Sequence, residues 1–373
     1  MNNVKQYSLA HRPKTLDEVK GQDTIVKEFR RRAAVNNFPS AMLFQGPTGV
    51  GKTSLAFLVA AAIQCRNVDE QGNACGTCPT CIDIFEEKFT RGCTHMLDGS
   101  SSSKDDVISR IAETIHTTPL HGPKHVFIVE EVDQLSTQAK NAFHKFLEKP
   151  SPYVHFILLS MSEANGNKVP PSIMDRCQPY HFKPISEKDI AYTLKGILEK
   201  EGLWDTLPAE FKKEGLFLLI NNAGGSLRRA VQFVERAMIG ELYTVEEIEE
   251  NYKFMSETSS LGLLKSLVMG EKQNFLDQLE KLRRNNQLVD WMHAAAYFVL
   301  RYQQTKLIEG FDTTPSTQLL IKAGDKIDVD LLCKMVVDMQ RRIHTSTYFT
   351  ATEASLEIME MYKKMHTKAI PFR

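Results

Sequence analysis

The stretch that most constrains this chain is QGPTGVGKTS at residues 45–54, set between the apolar run AMLF (41–44) and the helical run LAFLVAAAI (55–63). Read as G-x-x-x-x-G-K-T, it puts Gly46, Pro47, Thr48, Gly49, Val50 and Gly51 in a turn between strand and helix, followed by Lys52, Thr53 and Ser54 on the helix. Glycines let backbone N–H groups turn inward on a phosphate, and the helix N-terminus adds its positive end. Lys52 reaches the β/γ oxygens and the Thr53 hydroxyl suits Mg²⁺. ATP and Mg²⁺ are the expected ligands.

A fold is implied around that loop. AMLF, HVFIVEEV (125–132) and VHFILLS (154–160) read as short buried parallel strands, so residues 1–184 are expected to form an α/β core. After Pro184 helical patterns take over at 186–202, near 207–222 and at 226–240. Residues 185–242 are therefore expected to be a small helical lid, and 243–373 a separate all-helical domain. With 373 residues and 42% hydrophobic content, two or three packed cores are affordable.

Charge narrows the partners little. Forty-six basic and 46 acidic side chains cancel, so any contact with nucleic acid must come from a local patch or an assembled surface. No apolar run approaches the roughly 20 residues of a membrane span, so no membrane role and a cytoplasmic setting are expected.

Two further groups carry chemistry. Glu130 and Glu131 end the strand HVFIVEE, where parallel sheets present ligands; one carboxylate is expected to serve Mg²⁺ and the other the attacking water. Ser160 ends VHFILLS, and its hydroxyl is a candidate to orient that water. Cys65, Cys75, Cys78 and Cys81 form C-x9-C-x2-C-x2-C, a spacing that closes a tetrahedral structural Zn²⁺ site and staples the insertion at 65–81; the alternative is free thiols. Cys93, Cys177 and Cys333 read as ordinary small buried side chains.

The order of motifs resembles the gamma/tau subunits of bacterial DNA polymerase III, ATPases of the AAA+ clamp-loader type, in a cellular or viral version. The resemblance rests on LAHRPKTLDEVKGQ, GPTGVGKTS, the four-cysteine insertion, VFIVEEVDQLS, NAFHKFLEKPS, IMDRCQPYHF and GGSLRRA, and covers about residues 5–240. It implies an AAA+ core with a parallel sheet, a helical lid and an all-α collar.

Residue by residue, the resemblance places Arg12, Pro13 and Val19, with Gly21 and Gln22, around the base and ribose; otherwise they are a loop packed on the core. Glu130 stands where the family has Asp, while Glu131 keeps the general-base position. Arg176, in DRC where the family has Ser-Arg-Cys, corresponds to a finger reaching the neighbouring subunit's nucleotide, and Asp175 replaces the serine. Arg228 matches the lid arginine that senses the γ-phosphate; beside it, Arg229 stands where the family often has an acid. Ser101, Ser102, Ser103 and Lys104 match the segment lining the DNA path, suited to backbone phosphate rather than bases; the alternative is a solvated serine loop capping a helix.

The implied partners are a sliding clamp, primer-template DNA, and further loader subunits or copies of the chain in a ring, five-membered by analogy. The implied function is ATP-driven clamp opening and loading. A branch-migration motor on the same core, or a loader arm that holds nucleotide without turning it over, are the alternatives. With the chain stopping at Arg373, direct tethering of a polymerase is not expected.

Overall fold

The structure, a computed structural model, describes residues 6–100, 104–149, 151–161, 169–252, 254 and 257–284, with scattered positions beyond. Two compact units divide the chain, 1–241 and 242–373.

In the first unit α1 (Tyr7–Ala10) and α2 (Asp23–Ala34) precede β1 (Ala41–Gln45), which leads through the glycine-rich loop into α3 (Lys52–Gln64). Then follow α4 (Pro79–Phe85), β2 (Thr94–Asp98), α5 (Lys104–Thr114), β3 (His125–Glu130), α6 (Thr137–Glu148), β4 (Val154–Ser160), α7 (Pro171–Met174) and β5 (Gln178–His181). All pairings in the sheet are parallel, in the order β2-β3-β4-β1-β5. The α/β core with a parallel sheet around the glycine-rich loop, expected from the motif order, is what the chain forms.

Parallel strands need helical crossovers, which cover both faces and leave β1 buried at every position. Successive residues point to opposite faces. Leu43 joins Phe127, Phe143 and Phe156 on one side, with Phe127 and Phe156 stacked at 5.4 Å. Phe44, on the other, meets Tyr180 at 5.5 Å and Phe182 at 5.2 Å. Helix α3 is apolar all round and buried along nearly its whole length. At its end the Gln64 amide donates to the carbonyls of Cys93 and Lys124, at 2.8 and 2.7 Å, which ties the helix to the chain leading into β2 and β3.

Two strands went unread in the sequence, β2 (THMLD) and β5 (QPYH), and both lie at sheet edges. Edge strands bury less and so lose the apolar signature. Pro179 is tolerated in β5 because only one side must pair. The acidic strand is also shorter than its apolar run, ending at Glu130 where the backbone turns.

Three helices complete the unit: α8 (Glu187–Lys200), α9 (Leu216–Ala223) and α10 (Leu227–Ile239). Ser186 and Ser226 cap α8 and α10 by accepting from Asp189 N–H and Arg229 N–H. This helical segment packs within the same compact unit as the sheet.

In the second unit α11 (Val245–Tyr252), α12 (Glu257–Met269) and α13 (Lys272–Arg284) are described, and every element among its described residues is helical. Leu263, Leu267, Phe275, Leu279, Trp291 and Ile358 share its core. Among the described residues no helix is long and apolar enough to cross a membrane.

Candidate functional site

The register of the sheet brings the chemistry to one edge. Gln45 lies beside Ser160 and Val129 beside Leu158, so β1, β4 and β3 end at the same level and deliver the glycine loop, Ser160 and the two glutamates together. A cleft of about 420 Å³ opens there, bounded by the loop, Arg12, Glu131, Ser160 and Arg228. Ile197 and Val231 of the helical segment and Tyr7 and His11 of the N-terminal segment line other parts of its wall.

Gly51 adopts φ 100° as the residue before α3, a left-handed turn that sets the start of the helix against the cleft. Gly49 is needed for another reason: a Cβ there would collide with the Ser226 hydroxyl, and its carbonyl accepts from Arg228 N–H at 3.3 Å. The loop therefore touches the lid directly. Lys52 is 8% exposed, and its ammonium donates to the carbonyls of Gly46 and Pro47, both at 2.6 Å, which holds the cation across the loop. Thr48 Oγ1 lies 2.9 Å from Met161 Sδ, joining the loop to the end of β4.

Thr53 Oγ1 donates to Glu130 Oε1 at 2.6 Å. A hydroxyl from the first turn of α3 and a carboxylate from a strand end are donors that Mg²⁺ accepts, and the longer arm of Glu130 reaches the threonine. Glu131 leaves the strand in a left-handed conformation, φ 49° and ψ 44°. Such backbone is costly for a side chain and collects at functional sites. It is held by Gly99, whose N–H donates to Glu130 O at 2.9 Å and whose Cα leaves no room for a Cβ beside Glu131 O. Ser160 is fully buried yet borders the cleft.

The other expected site residues divide by position. Arg12 and Pro13 border the cleft, Arg12 pairing with Glu87 at 2.8 Å. Val19 and Val50 are buried, and Val50 has only backbone to offer a ligand. Gln22 is buried and spent on the main chain of Lys183, donating to its carbonyl at 2.7 Å. Arg176 is exposed outside its own cleft, donating to Ser172 O at 2.8 Å and reaching Glu148 at 3.4 Å. Ser101, Ser102 and Ser103 lie outside the described residues; the backbone of Lys104 begins α5, and its side chain is likewise outside them.

One clasp on the cleft was not read in the sequence. His11 Nε2 lies 2.6 Å from Glu201 and Tyr7 N–H donates to Glu235 at 3.1 Å, so the N-terminal segment grips the lid. Residues some 190 positions apart in sequence leave no local signal.

The Sγ atoms of Cys65, Cys75, Cys78 and Cys81 all lie within 4.8 Å of one another, and those of Cys75 and Cys81 are 3.9 Å apart. None of the four is joined in a disulfide. Backbone N–H groups point at the sulfurs: Cys75 N–H at Cys65, Cys78 N–H at Cys75 and Cys81 N–H at Cys78, at 3.3, 3.3 and 3.5 Å. Such donors favour thiolates. Those from Thr77 and Cys78 bring Cys75 down to about 6, whereas burial raises Cys65 and Cys81. Four sulfurs this close form a donor set of the kind that takes Zn²⁺ as thiolates.

Sequence comparison bears on this geometry. Residues 21–186 match the family described as DNA polymerase III, delta subunit. Among curated proteins, the chain is 26% identical over 83% of its length to DNA polymerase III subunit gamma/tau of Mycoplasma genitalium, spanning 51% of that protein. It is 32% identical over 61% of its length to subunit gamma of Buchnera aphidicola, spanning 59% of it. Protein STICHEL of Arabidopsis thaliana is 28% identical over 98% of the chain, which spans 30% of that protein. The resemblance to gamma/tau subunits is thus borne out, and the chain spans about half the length of the Mycoplasma relative.

Proposed function

We propose that this chain is an ATP-hydrolysing subunit of a DNA clamp loader, which opens a sliding clamp and closes it on primer-template DNA. The observation that carries the reading is the 2.6 Å bond from Thr53 to Glu130, joining the phosphate-loop helix to the acidic strand end at the mouth of the cleft. The motif order and the relatives' names support it.

Thr53 and Glu130 would hold Mg²⁺, which when bound neutralises charge on the transferring phosphoryl group. The loop N–H groups and Lys52 bind the β- and γ-phosphate oxygens of ATP, and Arg12 and Pro13 flank the nucleoside. Glu131 takes a proton from water oriented by Ser160; the new bond forms to the γ-phosphorus as the bond to the bridging oxygen breaks, leaving ADP and phosphate.

Arg228 reports the γ-phosphate to the lid. That Arg176 stands exposed outside its own cleft suits a role at a neighbouring subunit's nucleotide, within a five-membered ring of loader subunits or copies of the chain. DNA passes by Ser101, Ser102, Ser103 and Lys104 through backbone contacts. The four cysteines would hold Zn²⁺ as a structural staple, and the all-helical second unit would serve as the collar. Such a role belongs in the cytoplasm.

Steady-state ATP hydrolysis tests the reading, measured with Mg²⁺, with and without primer-template DNA and its clamp. Stimulation by both, abolished by Glu131→Gln and by Arg176→Ala, is the expected result; a wild type that binds nucleotide and never turns it over with any partner overturns it. A second reading, an arm that holds nucleotide without hydrolysis, rests on Glu130 and Asp175 standing where gamma/tau subunits have Asp and Ser, and that outcome would select it.

A further inference from the structure

The cysteine-bearing segment touches the wall of the nucleotide cleft at Arg12 and holds the chain just beyond it at Leu16. Arg12, which borders the cleft, pairs its Nη1 with Glu87 Oε1 at 2.8 Å, and its guanidinium lies over the Phe57 ring at 4.9 Å. Phe57 belongs to the phosphate-loop helix and meets Phe89 edge-on at 5.6 Å. Four residues past Arg12, the N–H of Leu16 donates to Asn73 Oδ1 at 2.8 Å, with both residues buried.

Both contacts come from the stretch organised by the four cysteines. Asn73 lies two residues before Cys75, and Asp69 holds it through its N–H at 2.7 Å and its amide at 3.1 Å. Glu87 follows α4, whose cap and first turn carry Cys78 and Cys81. Its loop has left-handed backbone at Glu87 and Phe89, φ 56° and 49°. Buried Asp83 secures that loop by accepting from Thr90 N–H at 2.9 Å and Thr90 Oγ1 at 2.6 Å. Strain at two non-glycine residues persists only where the surroundings over-determine it.

We infer that Glu87 and Asn73 are positioning residues for the nucleotide cleft, through which the cysteine module holds Arg12 and the chain around Leu16 ready for the nucleotide. The inference rests on the nucleotide-binding reading of the cleft. A free arginine samples many rotamers, and one already held by an ion pair and an aromatic face loses less freedom when it meets a ligand.

The test is equilibrium binding of a fluorescent adenine nucleotide to the full chain, comparing wild type, Glu87→Ala, Arg12→Ala and the double variant, with bound zinc measured in each. Glu87→Ala is expected to weaken binding about two- to fivefold with its zinc retained, and Glu87→Asp to recover part of the loss. The double variant is expected to bind no more weakly than Arg12→Ala alone, because Glu87 acts through the arginine. Asn73→Ala should weaken binding as well, and the Glu87 series stands if that buried substitution fails to fold. Unchanged or tighter binding by Glu87→Ala, or additive losses in the double variant, would overturn the inference while nucleotide binding that depends on Lys52 keeps the cleft reading intact. A wild type that binds no nucleotide overturns both.

Discussion

Thr53 and Glu130 meet at 2.6 Å, hydroxyl to carboxylate, although 77 positions separate them in the chain. The bond joins the first turn of α3 to the end of β3, although β4 lies between β3 and the strand that leads into α3, and it depends on a glutamate's reach. Glu130→Ala should therefore leave nucleotide binding largely intact while raising the magnesium concentration needed for hydrolysis by about ten- to a hundredfold. A magnesium titration of the turnover rate checks this. An unchanged midpoint would remove Glu130 from the metal.

Glu131 combines a strained backbone with the expected general base. Glu131→Gln should lower turnover by about 10²–10⁴-fold and retain nucleotide. Glu131→Gly should abolish turnover too, yet stabilise the fold by up to about 1 kcal/mol by relieving the left-handed conformation. Thermal unfolding beside the rate assay separates the two effects, and a less stable glycine variant would deny the strain.

Gly49 marks where loop and lid touch. Gly49→Ala puts a methyl group against the Ser226 hydroxyl at a residue with φ 80°, so the loop or the start of α10 must shift. A loss of about 1–3 kcal/mol is expected, together with weaker nucleotide binding. Denaturant unfolding and nucleotide titration provide the check; wild-type values in both would mean that the contact has no consequence.

The four cysteines should bind one zinc per chain, and Cys81→Ser should release it. Loss of a closed metal site of this kind lowers stability outright, so the variant and the chelated wild type are expected to unfold at similarly reduced temperatures. Metal analysis with calorimetry decides. Equal melting temperatures with and without chelator would return the cluster to free thiols.

His95 predicts the acid response of the core. Burial, then His125 and Arg110, bring it down to about 4 from the ordinary 6.5, and burial also lowers His125 and His155. The unfolded chain thus binds a proton at a higher pH than the folded one. The stability from neutral His95 is complete above about pH 6.5 and is lost as pH falls toward 4. Melting temperature should decline over that window, and less steeply in His95→Gln. Parallel curves for the two proteins would contradict this.

How much was legible follows from where each signal resides. The strand, loop and helix start that carry Gly46, Lys52 and Thr53 are legible because they lie within a short consecutive stretch, and local geometry alone sets their arrangement. The same holds for the central strands, buried on both faces and hence apolar throughout. It fails for β2 and β5 because an edge strand is paired and covered on fewer sides, and Thr94–Asp98 reads as mixed.

The sequence by itself determined the phosphate loop, the acidic strand end, the four thiols and the succession of sheet then helices, all of them contiguous patterns with a fixed period or spacing. Tertiary structure alone decided that Glu130 reaches Thr53, that Gly49 must be bare because Ser226 stands over it, and that Glu87 of the cysteine module holds Arg12. These relationships join residues 75 or more positions apart, and only strand register and helix packing bring them within hydrogen-bonding distance.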